Sequence, residues 1–140
     1  MFDIAERIAL IREKIDQAAE RSGRDPKQIK IVAVSKFIEP ERMQEALRAG
    51  ITTFGENRVQ EFLTKYPVIK GPVEWHMVGS LQTNKVKQVI GKVQLIHSLD
   101  RCALAEELSR QARLTGSRAT VLVQVNISRE ISKQGLAPEE

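Results

Sequence analysis

Residues 31–36, Ile-Val-Ala-Val-Ser-Lys, place a lysine just after a run of four aliphatic residues. Such an uninterrupted apolar run is typical of a strand buried on both faces, as in a parallel sheet. Ligands of parallel α/β proteins bind at the carboxyl ends of the strands. A partly desolvated Lys36 there would have a lowered pKa and could attack an aldehyde. From spacing alone, the commoner alternative is a lysine that extends into solvent.

The rest of the chain alternates between apolar runs and amphipathic helical patterns. One amphipathic helix is expected over the first 22 residues, with Asp3 and Glu6 as its capping box. Further apolar runs begin near residues 52, 74, 93 and 120, so that the strand starts, counted from residue 30, are about 19 to 27 residues apart. That interval accommodates one strand and one crossover helix. The pattern predicts an α/β fold with four or five βα units in a single domain over residues 1–140.

A parallel sheet of this kind belongs either to a doubly wound fold or to a (β/α)8 barrel. Nucleotide-binding doubly wound folds carry a glycine-rich turn after the first strand. Here residues 36–40 read Lys-Phe-Ile-Glu-Pro and contain no glycine, which argues against such a site. Pro40 is predicted in the first turn of its helix, and Asp100 is predicted to cap the last one.

The composition is that of a soluble globular protein. Hydrophobic residues make up 41% and charged residues 29% of the chain, and the net charge is +4. No apolar run approaches the roughly 18 residues of a membrane span, and the first residues lack a signal-peptide core. Cys102 is the only cysteine, which excludes an intrachain disulfide and suits a reducing compartment. A cytoplasmic location is therefore expected.

Polar side chains recur where the predicted strands end. They are Lys36, Glu56, Asn57, His76, His97, Ser98 and Asn126. Five polar strand ends in succession predict a binding site at one edge of the sheet. Each residue also has an ordinary alternative: Asn57 as a helix cap, or His76 as a hydrogen-bonded core histidine. Two histidines without an acidic residue at ligand spacing do not predict a metal site.

Five sequence blocks together resemble one known family. They are IVAVSK at 31–36, FGENRVQE at 54–61, WHMVGSLQTNKVK at 75–87, IHSLDR at 96–101 and VNISREISKQG at 125–135. With them the chain resembles the YggS/PROSC family, the pyridoxal-phosphate-binding homeostasis proteins, from its first helix to its last residue. The resemblance implies a parallel (β/α) TIM-barrel type fold like the alanine racemase N-terminal domain, of which about the first five βα units are present.

The same resemblance implies the roles of four residues. Lys36 would be the Schiff-base lysine for pyridoxal 5′-phosphate, Asn57 would lie beside the cofactor, and His76 would lie near its ring. Lys133 matches a family lysine on the loop after the fifth strand. Proteins of this family resemble carriers that buffer the cofactor in vitamin B6 balance and pass it to acceptor enzymes. Neither a catalytic residue nor a reaction is expected.

Two features depart from the family. The family commonly has a polar or basic residue soon after the lysine, where this chain has Phe37, Ile38 and Glu39. The chain also supplies about five of eight barrel strands and stops where a helix is expected to begin, at Pro138. It is therefore expected to be part of a longer protein, to bind the cofactor weakly or not at all by itself, and to associate through its exposed sheet edge. Full-length members are often monomeric.

Two other functions remain open from the residues. A pyridoxal-phosphate-dependent racemase or decarboxylase would need an acid or base opposite Lys36, and the only tyrosine, Tyr66, falls in a helical pattern. A nucleic-acid-binding module would use Lys85, Lys87 and Lys92. Six aromatic residues offer little stacking surface and no nucleic-acid-binding motif is recognisable, so neither nucleic acid nor membrane is an expected partner.

Overall fold

The structure is a computed structural model that describes residues 3–140. Its helices are α1 (Ile4–Arg21), α2 (Pro40–Arg48), α3 (Val59–Lys65), α4 (Val86–Val89) and α5 (Cys102–Thr115). Its strands are β1 (Ala33–Val34), β2 (Thr53–Glu56), β3 (Glu74–Met77), β4 (Leu95–Leu99) and β5 (Val121–Val123). After α1, strands and helices alternate as the hydrophobic pattern predicts.

Helix α1 begins at the predicted capping box. The Asp3 side chain accepts a hydrogen bond from the Ile4 amide, and the Glu6 side chain accepts one from the Asp3 amide at 3.0 Å. The helix ends at Ser22 and Gly23, where the φ of Gly23 is +69°. Glycine adopts such a left-handed conformation at little cost. The predicted helix is thus confirmed within the described residues; residues 1 and 2 lie outside them.

All five strands belong to one sheet and all neighbouring pairs are parallel. The strand order is β1-β2-β3-β4-β5, so every connection moves one strand further in the same direction. A doubly wound sheet would reverse its order at a switch point. The sequential order is that of a (β/α) barrel, and the predicted fold class is confirmed for these five units.

The core lies between the sheet and the helices. Phe54, Trp75, Met77 and Ile96 come from the strands and pack with buried residues of the helices, among them Phe62. Because side chains alternate along a strand, the intervening residues point to the opposite face, which we call the inner face. It carries Val34, Gly55 and His76, which are in register, with Val32 and Val78 beside Gly55 and His97 beside His76.

The inner face is only partly covered. Val34 in β1 is 51% exposed and Leu122 in β5 is 49% exposed, whereas the apolar run 31–34 predicts a strand buried on both faces. The difference arises because the core of the described residues forms on the helix side of the sheet. No helix within residues 3–140 has the length and apolar character needed to cross a membrane.

The start of α5 differs from expectation. Helix α4 is a single turn that follows a 3-10 turn at Thr83–Lys85, and α5 is capped by Arg101 rather than Asp100. The predicted cap at Asp100 is wrong because its carboxylate pairs with the guanidinium of Arg101. Pro40 does occupy the first turn of α2, as predicted.

Candidate functional site

Three predicted site residues follow neighbouring strands. Val34 is in register with Gly55, and Gly55 is in register with His76. Lys36 lies two residues beyond Val34, and Asn57 lies two residues beyond Gly55. Both residues follow the strands, Lys36 on a turn and Asn57 on a bend. Extended by two residues, the alternation of side chains predicts that they share the inner face with His76 at the carboxyl ends of β1, β2 and β3. The structure therefore brings these three residues to one region of the sheet.

Lys36 lies on a turn after β1 and is exposed. Within residues 3–140, no hydrogen-bond or ion-pair partner is found for its Nζ. The expectation of a partly desolvated amine is not met, since β1 is an edge strand that has only β2 beside it in the described sheet. The amine is thus open to a ligand that approaches the inner face.

Buried charges lie behind this turn, on the helix side of the sheet. Lys65 of α3 is 5% exposed, and its Nζ contacts Glu56 Oε1 at 2.9 Å and Glu61 Oε2 at 3.1 Å. The same Nζ donates to the carbonyl of Ser35 at 2.6 Å. We call Lys65, Glu56 and Glu61 the Lys65 cluster.

The Lys65 cluster changes the role of one predicted strand-end residue. Glu56 is fully buried and points away from the inner face, because it has the same alternation phase as Phe54 in the core. It therefore cannot contact a ligand on the inner face. Sequence reasoning missed Lys65 altogether. The available signal was its spacing of four residues from Glu61, which suits an ion pair on a helix.

The backbone of Asn57 is fixed by a glycine of the next strand connection. A Cβ at Gly79 would lie 2.3 Å from the Asn57 carbonyl oxygen, so only glycine allows this approach. Ser98 is buried and its hydroxyl donates to the Gly79 carbonyl at 2.7 Å. Ser98 is thus a structural residue that connects the ends of β3 and β4.

The side chain of Asn57 is available to a ligand. Helix α3 is capped by Arg58, with no side-chain capping bond, so Asn57 is not the helix cap. No hydrogen-bond partner for its amide is found in the described part of the chain. A cleft of about 360 Å³ opens beside it and carries two cations, Arg58 and Lys85.

The two histidines form a pair. His76 is 5% exposed, and its Nδ1 lies 2.9 Å from Nε2 of the half-buried His97. The pKa of His76 is lowered by burial, by the neighbouring His97 and by Lys30, and Glu74 opposes this in part. Burial also lowers the pKa of His97. Both rings are therefore favoured in the neutral form, in which one donates a hydrogen bond and the other accepts it.

Lys133 lies on the exposed loop after β5, where its Nζ pairs with Glu130 at 3.1 Å. The loop is organised by Asn126, whose side-chain amide donates to the carbonyls of Glu130 and Lys133. Asn126 thus shapes this loop. Lys36 and Lys133 follow the two edge strands of the described sheet.

The described residues do not form a metal centre. Residues 3–140 contain no group of three or more histidine, cysteine, aspartate or glutamate side chains that could hold a metal ion. Tyr66 packs against Phe62 and Trp75 on the helix side of the sheet. It therefore does not reach the inner face.

Curated relatives match the chain over nearly its whole length. The pyridoxal phosphate homeostasis protein of Aquifex aeolicus is 46% identical over 139 residues, which are 99% of this chain and 61% of the relative. The protein of the same name from Pseudomonas aeruginosa is 40% identical over 141 residues, 100% of this chain and 61% of the relative. The chain thus spans about three fifths of these relatives. No family model matches.

Solved structures agree with the fold. PipY of Synechococcus elongatus is 34% identical, with a TM-score of 0.83 without pyridoxal phosphate and 0.78 with it bound. These matches cover 98% of this chain and 60% and 59% of the PipY chains. Alanine racemase of Streptomyces coelicolor has a TM-score of 0.60 at 18% identity, over 93% of this chain and 34% of its own, and shows the fold alone. The resemblance predicted from the five sequence blocks is confirmed.

Proposed function

We propose that this chain carries the lysine-bearing part of a pyridoxal 5′-phosphate site, and that this site serves the intracellular balance of the cofactor. The chain is a relative of the pyridoxal phosphate homeostasis proteins along nearly all of its length. The observation that carries the proposal is the placement of Lys36. It is an exposed amine that follows the carboxyl end of β1, and the alternation along the strands supports its placement on the same face as Asn57 and His76. PipY, 34% identical, has been solved with pyridoxal phosphate bound.

The side chains present suit this cofactor. When bound, pyridoxal phosphate supplies an aldehyde on an aromatic ring. Lys36 would hold the cofactor through its amine, and the aldehyde would supply reversible capture of that amine, with one water lost on capture and regained on release. Val34 and Gly55 give the inner face beside Lys36 an apolar surface, which suits an aromatic ring. Such reversible capture requires no further acid or base in the protein.

Three other residues complete the proposed site. Asn57 offers an unpartnered amide to a polar substituent of the ring. His76 is favoured in the neutral form by its lowered pKa, so it adds no positive charge to the inner face. Lys133 offers a second amine on a loop at the far edge of the sheet, at the end from which a ligand reaches the inner face. Arg58 and Lys85 border the cleft beside Asn57.

We further propose that the protein is a carrier that passes the cofactor to acceptor enzymes, and not an enzyme. Racemisation needs an acid or base on the side of the substrate opposite the lysine. The only tyrosine in the chain, Tyr66, packs on Phe62 and Trp75 at the other side of the sheet. The likeness to alanine racemase is one of fold and does not favour that activity.

Equilibrium dialysis against pyridoxal 5′-phosphate tests the binding part of the proposal. Because binding by the chain alone is expected to be weak, dialysis is run at high cofactor concentration, where wild type is expected to retain more cofactor than Lys36→Ala. Lys27→Ala, which removes an exposed lysine of the turn Pro26–Gln28 that precedes β1, is the matched control and should behave as wild type. Equal retention by all three proteins would refute specific binding at Lys36.

A transfer assay tests the carrier part. The loaded chain is mixed with the cofactor-free form of a pyridoxal-phosphate-dependent enzyme, and recovery of that enzyme's activity is followed. The wild type should restore activity, and Lys36→Ala should add nothing beyond free cofactor. L-Alanine incubated with the loaded chain should racemise no faster than it does with free cofactor alone. Racemisation that depends on Lys36 would identify an enzyme instead.

A further inference from the structure

The peptide groups on both sides of Lys36 are held by the Lys65 cluster. Before Lys36, the carbonyl of Ser35 accepts a hydrogen bond from Lys65 Nζ at 2.6 Å. After it, the amide of Phe37 donates to Glu61 Oε2 at 3.0 Å. The same Glu61 oxygen contacts Lys65 Nζ at 3.1 Å. One ion-paired group on α3 therefore fixes the backbone on either side of Lys36.

The third member of the Lys65 cluster holds the same turn through a side chain. Glu56 Oε1 accepts hydrogen bonds from Lys65 Nζ at 2.9 Å and from the Ser35 hydroxyl at 2.5 Å. Ser35 is itself buried, and its amide donates to the carbonyl of Gly55 at 2.9 Å. The residue before Lys36 is thus fixed at its amide, its carbonyl and its side chain.

The turn adopts a conformation that needs such support. Phe37 has a φ of +60°, a left-handed conformation that is unfavourable for a residue with a Cβ. Phe37 as a whole is 76% exposed, so packing of its side chain does little to hold it. The Phe37 amide is the largest cause of the lowered pKa of Glu61, as expected where a carboxylate accepts a backbone hydrogen bond.

Stability alone gives little reason to bury these charges. A buried ion pair is often no better than apolar residues of similar volume, because both charges lose their hydration. Here two carboxylates share one ammonium, and Glu56 Oε2 is buried without a hydrogen-bond partner in the described residues. What the Lys65 cluster provides beyond packing is directional contact with the turn at Lys36.

We propose that Lys65, Glu56 and Glu61 are positioning residues that hold the backbone of Lys36 so that its Nζ is presented on the inner face for capture of the cofactor aldehyde. The inference rests on the proposed function, because it gives Lys36 an orientation that matters only if Lys36 captures an aldehyde. The Lys65 cluster touches only the backbone and the neighbours of Lys36, from the opposite side of the sheet.

Two measurements test the inference together, one with cofactor and one without. The first is the rate at which Lys36 is labelled by pyridoxal 5′-phosphate and borohydride, relative to the labelling of Lys27 in the same molecule. The second is hydrogen exchange of the Phe37 amide, measured by NMR in the absence of cofactor. The variants are Glu61→Ala, Glu61→Gln, and the double replacement Glu56→Met with Lys65→Met, which removes both buried charges at similar volume.

The expected result has three parts. Glu61→Ala speeds exchange at Phe37 about tenfold, as loss of one hydrogen bond implies, and slows relative labelling of Lys36 by about tenfold through lost orientation. Glu61→Gln keeps an acceptor for the Phe37 amide, so it should restore much of the slow exchange at Phe37 and of the fast labelling of Lys36. The double replacement folds with near wild-type stability and still loses the preference for Lys36, which a merely structural role would not produce.

The matched control is Glu107→Ala, which removes an ion pair with Arg110 on α5, remote in sequence from the Lys36 turn, and should leave both readouts unchanged. Wild-type labelling that favours Lys36, together with unchanged labelling in Glu61→Ala and the double variant, would overturn the positioning role while sparing the proposed function. Absence of a Lys36 preference in the wild type would instead overturn the proposed function, and the inference with it.

Discussion

Nδ1 of His76 lies 2.9 Å from Nε2 of His97, so one ring donates a hydrogen bond that the other accepts. This hydrogen bond requires that at least one of the two facing nitrogens carries no proton. Protonation of both rings would place two like charges at this distance on a largely buried part of the inner face. The lowered pKa values of both histidines follow mainly from burial, and the pair thereby links the stability of the sheet to pH.

We predict that the chain loses stability as the pH falls below the ordinary histidine pKa of 6.5. Both folded-state pKa values are below the unfolded value, so the unfolded chain binds more protons in that window and acid favours unfolding. Above that pH range the contribution of the two neutral histidines to stability is fully present. Urea unfolding at about pH 7.5 and about pH 5.5 measures it. The double variant His76→Gln with His97→Gln should lose most of the difference; an equal difference in the variant would assign it to other groups.

The Lys65 cluster gives a prediction about stability. Lys65→Met alone leaves the buried Glu56 without its cation and should lower the free energy of unfolding by about 3–5 kcal/mol. Adding Glu56→Met removes the stranded charge and should restore most of that loss. Urea unfolding of the two variants measures both values. A double variant as unstable as Lys65→Met would show that the ion pair itself, and not the unpaired charge, decides stability.

Gly79→Ala tests the contact that fixes Asn57. The added Cβ would lie 2.3 Å from a backbone oxygen of Asn57, and backbone cannot move aside as a side chain can. We expect a loss of about 1–3 kcal/mol or more in unfolding free energy. Gly55→Ala is the matched control, because its Cβ would meet only side-chain methyl groups of Val78 and Val32, at 3.0 and 3.2 Å. A greater loss for Gly55→Ala would contradict this account.

Exposed apolar residues predict concentration-dependent association of the 140-residue chain. Leu122 and Val123 of β5 are 49% and 56% exposed, and β5 is an edge strand of the described sheet. Unpaired edges of this kind favour pairing with other chains. Sedimentation velocity over a range of concentrations should show association that Val123→Lys weakens. A monomer at every concentration would contradict the prediction.

Much of the fold could be predicted from hydrophobic periodicity. Long periodic segments such as α1 and α5 were predicted from their apolar spacing, and the sequential sheet follows from strands separated by one helix each. The start of α5 was not predicted correctly, because the competing partner for Asp100 is the next residue, Arg101. Local sequence gives the residue types that can cap a helix but not which competing contact prevails.

The candidate site was predicted less completely. Lys36, Asn57 and His76 were predicted at one edge of the sheet because polar residues recur where the strands end. Glu56 was predicted in the same set, although the alternation of side chains puts it on the other face. Its contact with Lys65 depends on how α3 packs on β2, which pattern alone does not give. The exposure of Lys36 likewise depends on what lies beside β1 in the folded sheet.

The measurement that tests the central claim most directly is peptide mapping after borohydride reduction. Wild type and Lys36→Ala are incubated with pyridoxal 5′-phosphate, reduced, digested and compared by mass spectrometry, with Lys27→Ala as control. We predict that the label in wild type and control is concentrated on Lys36 and that Lys36→Ala gains no comparable label elsewhere. Low labelling spread evenly over the lysines, and equal in all three proteins, would contradict the claim that Lys36 captures the cofactor.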